Sequence, residues 1–423
     1  MPADTLLIKP SGPLRGTVAV NGAKNAVLPI MAACLLTEEP SVIENVPRVT
    51  DVFTMIEILR GFGVAVEFAG DRLTVTPGRY TGTSASYDLV TRMRASVCVL
   101  GPLLARHGRA QVSMPGGCVI GQRPIDLHLK GLRALGVSFT IEHGDVVGTV
   151  GELRGARVHL AGPSGSSVLG TGNVMMAASL AAGTTIIEPA ACEPEVIDLA
   201  NFLSAMGAKI EGAGSPVIRV EGVRQLRGVR YRIISDRIEA GTLMIAAAMT
   251  GGDVTVDGAR AEHLGALIDK LSEAGAAVEK RNGSIRVAAA DCTRAVDITT
   301  LPFPGFPTDL QAQMMALMAV SRGVSLLTEK VYPERFMHVS ELNRMGAAIT
   351  REGPSAIVKG VNRLSGAPVT GSDLRASAAL VLAGLTADSE TRLQGLEHLD
   401  RGYQGLEQQL VALGAKIERV KGA

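Results

Sequence analysis

The chain has 423 residues, 46 % of them hydrophobic, so it is long enough for two or three domains with large cores. Its 42 basic and 41 acidic residues give a formal net charge of +1, which excludes an overall field that would attract nucleic acid or an anionic membrane. Aromatic residues make up only 3 % and tryptophan is absent, which disfavours stacking platforms for bases or sugars.

The five cysteines are an odd number without a close pair, which argues against a disulfide framework and against a zinc site. The N-terminus has no basic segment followed by an apolar core, and no apolar run reaches membrane-spanning length. We therefore expect a cytoplasmic protein that inserts into no membrane, binds no nucleic acid and needs neither a metal nor a cofactor.

In chain order, a strand at residues 6–9 is followed by six copies of a repeat of about 70 residues. In each copy an amphipathic helix is closed by a glycine that needs a left-handed backbone, and an alternating strand follows. These glycines are Gly63, Gly136, Gly207, Gly275, Gly346 and Gly414. About 40 residues earlier lies a helix that is apolar on all sides and therefore buried. Its copies begin near Ala23, Thr91, Gly172, Arg237, Thr308 and Asp373.

Each repeat is thus a βαβαββ-like unit with one buried and one surface helix. The sixth copy lacks its closing strand, so we expect the N-terminal strand to complete it. This arrangement predicts an α/β protein with two domains of three repeats each, one formed by residues 1–22 and 235–423 and the other by residues 23–234. A cleft between two such domains is a natural place for a substrate.

Charged and polar residues introduce these apolar helices, where helix N-termini favour anions. Asp236, Asp309 and Asp373 also fit a plain role as helix N-caps. Lys24 does not, because a cation at a helix N-terminus is unfavourable unless something anionic lies beside it. The pattern favours an anionic substrate, although the aspartates leave the capping role open.

A segment rich in glycine and proline, residues 114–124, carries Cys118 five residues before Arg123. Glycines leave the sulfur accessible, and a nearby guanidinium favours thiolate over thiol, as in reactive cysteines. The alternative is a small buried hydrophobic residue in a turn.

Six motifs together resemble the UDP-N-acetylglucosamine enolpyruvyl transferases, also called 1-carboxyvinyltransferases, over nearly the whole chain and in order. They are Asn-Gly-Ala-Lys-Asn-Ala at 21–26, Pro-Gly-Gly-Cys and Gly-Gln-Arg-Pro-Ile-Asp-Leu-His within 115–128, Ser-Asp-Arg-Ile-Glu-Ala-Gly-Thr at 235–242, Phe-Pro-Thr-Asp-Leu-Gln-Ala-Gln at 306–313, Glu-Arg-Phe-Met-His-Val at 334–339 and Asp-Leu-Arg-Ala-Ser-Ala at 373–378. The resemblance implies a two-domain inverse α/β barrel of six repeats, the enolpyruvyl transferase fold.

The resemblance also implies a reaction. The enolpyruvyl group of phosphoenolpyruvate would pass to the 3-hydroxyl of UDP-N-acetylglucosamine with release of phosphate, by addition and elimination through a tetrahedral intermediate. In this family the reaction is the first committed step of peptidoglycan synthesis, which links it to cell-wall biogenesis, cell shape, the cell cycle and cell division. Fosfomycin alkylates the equivalent of Cys118, and substrate binding would close the loop that carries it.

Site residues follow from the resemblance alone. Cys118 would donate the proton to phosphoenolpyruvate and Asp309 would be the base, with Lys24 and Arg401 also catalytic. The binders of phosphoenolpyruvate would be Lys24, Asn25, Arg123, Arg335 and Arg401. Those of the nucleotide sugar would be Arg94, Arg123, Pro124, Ile125, Asp126, Leu127, Ser167, Val168, Asp309 and Val331. Asp373 and Arg375 would support the site, while His128 and His338 fit core hydrogen bonding.

The chain departs from the family pattern beside Ser167, where Leu169 and Ser166 replace the usual residues. A leucine there could narrow the nucleotide pocket or move its loop. Three other interpretations stay open. The protein is the sister transferase that acts on shikimate 3-phosphate, although that family lacks the cysteine loop; or it is a paralogue that acts on a different nucleotide sugar; or it is a catalytically silent regulatory homologue.

Overall fold

The computed structural model describes residues 4–78, 80, 82, 84–85, 87–113, 125–163, 165–289 and 293–422. Six largely buried helices form the interior of the repeats, because alanine, leucine, valine and methionine occupy all of their faces. They are Lys24–Ala33, Leu100–His107, Val168–Ala178, Arg237–Met249, Gln311–Ala319 and Leu374–Thr386. Two of them are preceded by 3-10 turns, Arg94–Val99 and Thr308–Leu310.

Six further helices each end just before one of the predicted glycines. They are Thr50–Gly61, Asp126–Ala134, Pro194–Ala205, Gly265–Glu273, His338–Arg344 and Leu406–Ala412. The expected surface position is wrong for the third of them, Pro194–Ala205, in which eight of 12 residues are buried. All six glycines have a positive φ, between 86° at Gly63 and 110° at Gly207, which confirms the predicted left-handed turns. A strand follows each turn, and its outward side chains are exposed in alternation.

Each repeat contains a four-stranded sheet in which the first two strands are parallel and the other pairs are antiparallel. In spatial order the sheets of the first three repeats are Arg230–Arg232, Ser41–Glu44, Arg72–Thr76 and Ala65–Ala69; Ser84–Ala85, Arg109–Ser113, Asp145–Thr149 and Ser138–Glu142; and Arg157–His159, Thr184–Glu188, Ile218–Glu221 and Lys209–Glu211.

The sheets of the other three repeats have the same order. They are Arg15–Ala19, Asp253–Asp257, Ser284–Ala288 and Ala277–Arg281; Ile298–Thr300, Val324–Glu329, Ser355–Lys359 and Ala348–Glu352; and Pro368–Thr370, Thr391–Gln394, Thr5–Lys9 and Lys416–Val420. The remaining described elements are the short strands Ala161–Gly162 and Gly165–Ser166, the helices Tyr87–Arg92 and Leu396–Leu399, and the 3-10 turns Cys34–Leu36 and Ala261–His263.

Three sheets are completed by strands distant in the chain. The first strand, Thr5–Lys9, lies between Thr391–Gln394 and Lys416–Val420, with Ile8 opposite both Thr391 and Ile417. The second strand, Arg15–Ala19, pairs in parallel with Asp253–Asp257. The strand Arg230–Arg232 pairs in parallel with Ser41–Glu44. The last repeat is therefore closed by the beginning of the chain.

The chain forms two compact units. The segments up to Asn21 and from Ser235 onward form one, here called the C-terminal unit, and described residues from Gly22 to Ile234 belong to the other, the inserted unit. Each has its own continuous apolar core around three of the buried helices. None of the described helices combines the length and the apolar character that crossing a bilayer requires.

The third buried helix begins at Val168, four residues before the predicted start at Gly172. The Ser167 hydroxyl accepts a hydrogen bond from the Gly170 amide and so caps the helix. The apolar run alone indicated a later start because the first five residues of the helix include two glycines and a threonine. The second copy begins as the 3-10 turn at Arg94 instead of near Thr91.

Candidate active site

Asp309 is the centre of a charge cluster in the C-terminal unit. It lies in the 3-10 turn Thr308–Leu310 that leads into a buried helix. Its Oδ1 is 2.8 Å from Nη1 of Arg335 and its Oδ2 is 3.1 Å from Nη2 of Arg375. The carboxylate is 26 % exposed, whereas the arginine side chains are only 5 % and 2 % exposed. Two fixed guanidinium groups thus hold an ionised carboxylate that is still partly exposed.

Glu329 organises the other side of this cluster. Its fully buried carboxylate accepts hydrogen bonds from the Thr300 hydroxyl at 2.6 Å and from the amides of Val331 and Tyr332 at 2.8 and 2.9 Å. It also accepts from Thr308 Oγ1 at 2.9 Å, and Thr308 accepts from Arg335. The turn that carries Val331 is therefore tied to the turn that carries Asp309. Sequence analysis missed Glu329. An acid at the end of an apolar strand indicates a buried carboxylate that needs hydrogen-bond partners, and this pattern could have identified it.

Asp236 and Asp373 are helix N-caps, the role that sequence analysis left open. One oxygen of Asp236 accepts from two amides of the first turn of its helix, Ile238 and Glu239, at 2.8 and 3.0 Å. Asp373 does the same for Arg375 and Ala376, at 2.8 and 3.1 Å. Asp373 therefore fixes the backbone of the residue whose side chain contacts Asp309.

The two buried arginines stay charged for an electrostatic reason. Burial acts to lower the pKa of Arg335, but the carboxylates of Asp309 and Asp373 outweigh it and raise that pKa. Burial also acts to lower the pKa of Arg375, but Tyr403, Asp309 and Asp236 raise that pKa above its usual value. Two buried donors of Arg375, Nε and Nη1, have no acceptor among the residues that the structure describes. Such donors favour an anionic ligand.

Two further predicted residues of this unit are His338, three residues after Arg335, and Arg401. His338 is buried, and burial lowers its pKa to about 4, so the ring is neutral at physiological pH. Arg401 lies half-buried in the turn between Leu396–Leu399 and Leu406–Ala412. The preceding Asp400 is held by the Arg419 guanidinium, with Nη1 3.0 Å from Oδ1, which ties this turn to the last strand.

Lys24 opens the first buried helix of the inserted unit, and Asn25 follows it half-buried. The Lys24 ammonium lies 3.0 Å from Oδ2 of Asp51, and both side chains are buried. Asp51 thus supplies the negative charge that a cation at a helix N-terminus requires. Sequence analysis expected a substrate anion there and missed this partner.

The other predicted residues of the inserted unit that the structure describes lie at the starts of two helices and of one 3-10 turn. Ile125 is buried and Asp126 is exposed at the N-terminus of Asp126–Ala134, with Leu127 half-buried beside Gly162 and Gly170. Ser167, Val168 and Arg94 are also half-buried. Leu169 packs against the unit's core, and Ser167 keeps its capping bond beside it. Cys118, Arg123 and Pro124 lie outside the described residues.

His128 has the structural role that was predicted for it. Its Nδ1 is 2.8 Å from Nδ2 of Asn173, whose Nδ2 also donates to the Val97 carbonyl at 2.8 Å. Burial, with a smaller contribution from Arg94, lowers the His128 pKa to about 3. The described residues contain no group of three or more His, Cys, Asp or Glu side chains that could hold a metal ion.

Glu239 is another buried acid of the C-terminal unit. Its Oε1 accepts hydrogen bonds from the backbone amide of Asn21 at 2.9 Å, from the Asn21 side chain at 3.0 Å and from Gln409 at 2.7 Å. Burial and the neighbouring Asp236 outweigh these donors and raise the Glu239 pKa to about 7. Asn21 is the last residue of the unit's first segment, so Glu239 anchors the chain where it leaves the unit.

Glu239 therefore makes stability depend on pH. Between about pH 4.5 and 7, the folded protein keeps on Glu239 a proton that the unfolded chain releases. The contribution of Glu239 to folding stability is therefore fully present below this pH range and is lost as the pH rises through it. We expect wild type to lose about 3 kcal/mol across the window relative to Glu239→Gln. Thermal unfolding of both proteins between pH 4.5 and 8 measures the difference, with Glu262→Gln, an exposed acid of the same unit, as control. Parallel curves for wild type and Glu239→Gln would contradict it.

Known proteins similar to this chain carry the names of carboxyvinyl or enolpyruvyl transferases. The family model of EPSP synthase (3-phosphoshikimate 1-carboxyvinyltransferase) matches residues 8–410. UDP-N-acetylglucosamine 1-carboxyvinyltransferases are 51 % identical in Methylacidiphilum infernorum, 52 % in Geobacter metallireducens and 53 % in Nitratidesulfovibrio vulgaris. Each match covers 99 % of this chain and 99 or 100 % of the relative.

Solved structures confirm the predicted fold class. The enolpyruvyl transferase NikO from Streptomyces tendae matches with a TM-score of 0.89 at 25 % identity and with full coverage of both chains. An EPSP synthase from Acinetobacter baumannii matches with a TM-score of 0.76 at 19 % identity, over 99 % of this chain and 100 % of that one. The chain therefore belongs to the enolpyruvyl transferases, the family that includes EPSP synthase and these UDP-N-acetylglucosamine 1-carboxyvinyltransferases.

Proposed function

We propose that this protein is a UDP-N-acetylglucosamine 1-carboxyvinyltransferase, which transfers enolpyruvate from phosphoenolpyruvate to the 3-hydroxyl of UDP-N-acetylglucosamine and releases phosphate. The observation that carries the proposal is the 51 to 53 % identity to transferases of that name over their whole length. The Asp309 cluster is consistent with it, because the chemistry needs a base beside fixed cations.

In the first half of the reaction, the sugar hydroxyl oxygen bonds to C2 of phosphoenolpyruvate while C3 gains a proton. Asp309 takes the hydroxyl proton, and its two arginine contacts keep it ionised and therefore able to accept one. Cys118 gives the proton to C3, a task that suits a thiol whose pKa can be set near working pH. The product of this step is a tetrahedral intermediate.

In the second half, the C–O bond to phosphate breaks, phosphate leaves with the bonding electrons, and C3 returns its proton to form the enol ether. Cations stabilise the departing charge. Lys24, Asn25, Arg123, Arg335 and Arg401 bind the phosphate and carboxylate groups, and Arg375 and Asp373 support them. The buried Arg375 donors that lack a described acceptor suit a bound anion.

The nucleotide sugar is held by a separate set of residues: Arg94, Arg123, Pro124, Ile125, Asp126, Leu127, Ser167, Val168, Asp309 and Val331. A Cβ at position 162 would lie 3.2 Å from Leu127 Cδ1, and one at position 170 would lie 2.8 Å from Ser167 Oγ, so only glycine fits beside these two side chains without displacing them. In the cell the enzyme is cytoplasmic and serves peptidoglycan synthesis, and through it cell shape, the cell cycle and cell division. Fosfomycin inhibits it by alkylating Cys118.

Phosphate release tests this function directly. Purified protein is given phosphoenolpyruvate with UDP-N-acetylglucosamine, with shikimate 3-phosphate or with neither acceptor. We expect release only with the nucleotide sugar, and the enolpyruvyl ether as the other product by mass spectrometry. Release with shikimate 3-phosphate instead would assign the sister activity. If neither acceptor supports phosphate release, the protein would be either a paralogue that uses another nucleotide sugar or a silent regulatory homologue.

A further inference from the structure

Three buried polar side chains meet behind the Asp309 cluster. Tyr403 Oη lies 2.9 Å from Thr242 Oγ1 and 3.1 Å from Gln313 Nε2, and Gln313 Nε2 lies 3.1 Å from Thr242 Oγ1. All three residues are at most 3 % exposed. They come from the helices Arg237–Met249 and Gln311–Ala319 and from the turn that carries Arg401. Burying three polar groups in an apolar core is unfavourable unless each is hydrogen-bonded.

The two hydroxyl groups of this network have a defined donor direction. The Thr242 hydroxyl donates to the Ile238 carbonyl at 2.8 Å, so its oxygen must accept from the Tyr403 hydroxyl. The Gln313 amide nitrogen has two hydrogens for three nearby acceptors, the Asp309 carbonyl at 3.0 Å and the Tyr403 and Thr242 oxygens at 3.1 Å each. Burial raises the pKa of Tyr403, so the phenol keeps its proton. The network therefore ends on two backbone carbonyls, those of Ile238 and Asp309.

Two contacts connect the network to the charge cluster. Gln313 holds the main-chain oxygen of Asp309 itself. The Arg375 guanidinium carbon lies 5.2 Å from the centroid of the Tyr403 ring, within cation–π range, and the same guanidinium contacts Asp309. The network thus reaches Asp309 twice, through its backbone and through its arginine partner.

We propose that Tyr403, fixed by Gln313 and Thr242, is a positioning residue that sets the place of the Asp309 carboxylate through Arg375. The inference rests on the proposed function, in which Asp309 accepts the sugar proton. Because Tyr403 touches neither substrate in this assignment, its loss should lower kcat and leave both KM values nearly unchanged. A misplacement of reacting groups by about 1 Å lowers rates by up to about 10²-fold.

The experiment compares Tyr403→Leu, which removes ring and hydroxyl, with Tyr403→Phe, which keeps the ring beneath Arg375. We expect kcat to fall about 30-fold in Tyr403→Leu and at most about 5-fold in Tyr403→Phe, with each KM within about 3-fold of wild type. Tyr231→Phe is the matched control, since it removes a tyrosine hydroxyl bonded to Asp198 at 2.7 Å in the inserted unit. It should keep the wild-type kcat. All rates are normalised to the folded fraction, measured by thermal unfolding.

Wild-type kcat in folded Tyr403→Leu, or equal losses in the leucine and phenylalanine variants, would overturn the role of the ring. Should Tyr403→Leu fail to fold, Gln313→Met removes the bond to the Asp309 carbonyl and should lower kcat about 10-fold at unchanged KM. An unchanged kcat there would also count against the proposal. Absence of turnover in wild type is a different result, because it would refute the proposed function.

Discussion

Replacing Asp309 by asparagine is expected to lower kcat for phosphate release about 10³-fold, the range associated with loss of a positioned base. The amide keeps the shape of the side chain and one acceptor oxygen, but it can neither take a proton nor balance two guanidinium groups. Arg335 and Arg375 would then lack their shared carboxylate in a buried setting. Since Asp309 is itself 26 % exposed, the loss of folding stability should be only about 2 kcal/mol.

The control for Asp309→Asn is Asp253→Asn in the same unit. Asp253 is also held by an arginine through two contacts, 2.8 and 2.7 Å from Nε and Nη2 of Arg286, but this pair lies on the surface. It should therefore lose little stability and no activity. Steady-state rates and thermal unfolding of the three proteins separate a catalytic loss from a folding defect. Wild-type kcat in Asp309→Asn would remove Asp309 from the role of base.

Local features of the fold could be predicted from the sequence because their causes are local. Glycine is the residue that tolerates a left-handed turn, so the glycines at about 70-residue intervals located the ends of six helices. Aspartates before apolar helices fitted either N-caps or site residues; Asp236 and Asp373 are caps, whereas Asp309 lies inside its turn and pairs with two arginines. The start of the third buried helix was missed because its cap, Ser167, precedes glycine-containing turns that weaken the helical pattern.

Contacts between distant residues could not be predicted in the same way. Asp51 lies 27 residues from Lys24, and Arg375 lies 66 residues from Asp309, so no spacing rule joins them. The resemblance supplied Asp309, Arg335 and Arg375 as separate positions, and the structure brings them together in one ion-pair cluster. It supplied neither Glu329 nor Tyr403, which act on the cluster through hydrogen bonds and ring contact.

Replacing Cys118 by alanine is expected to abolish more than about 99.9 % of turnover, because no other group is assigned to protonate C3 of phosphoenolpyruvate. Binding of UDP-N-acetylglucosamine, measured by calorimetry, should change less than about 3-fold, since Cys118 is not among its proposed binders. The matched control is Cys192→Ser, which removes another thiol of the chain and should retain full kcat. Near-normal turnover in Cys118→Ala would assign the proton transfer to a different group.

Thiol chemistry distinguishes Cys118 independently of turnover. Burial raises the thiol pKa of Cys34 and of Cys98 to about 12, so at pH 7.5 only about one in 10⁴ or fewer of these groups is a thiolate. Burial, aided by Glu193, also raises the pKa of Cys192. Fosfomycin should therefore alkylate Cys118 and leave these three thiols unmodified, as peptide mass spectrometry can determine, with inactivation proportional to modification. Alkylation of Cys192 at a comparable rate, or full activity after complete modification of Cys118, would contradict the assignment of Cys118 as the reactive thiol.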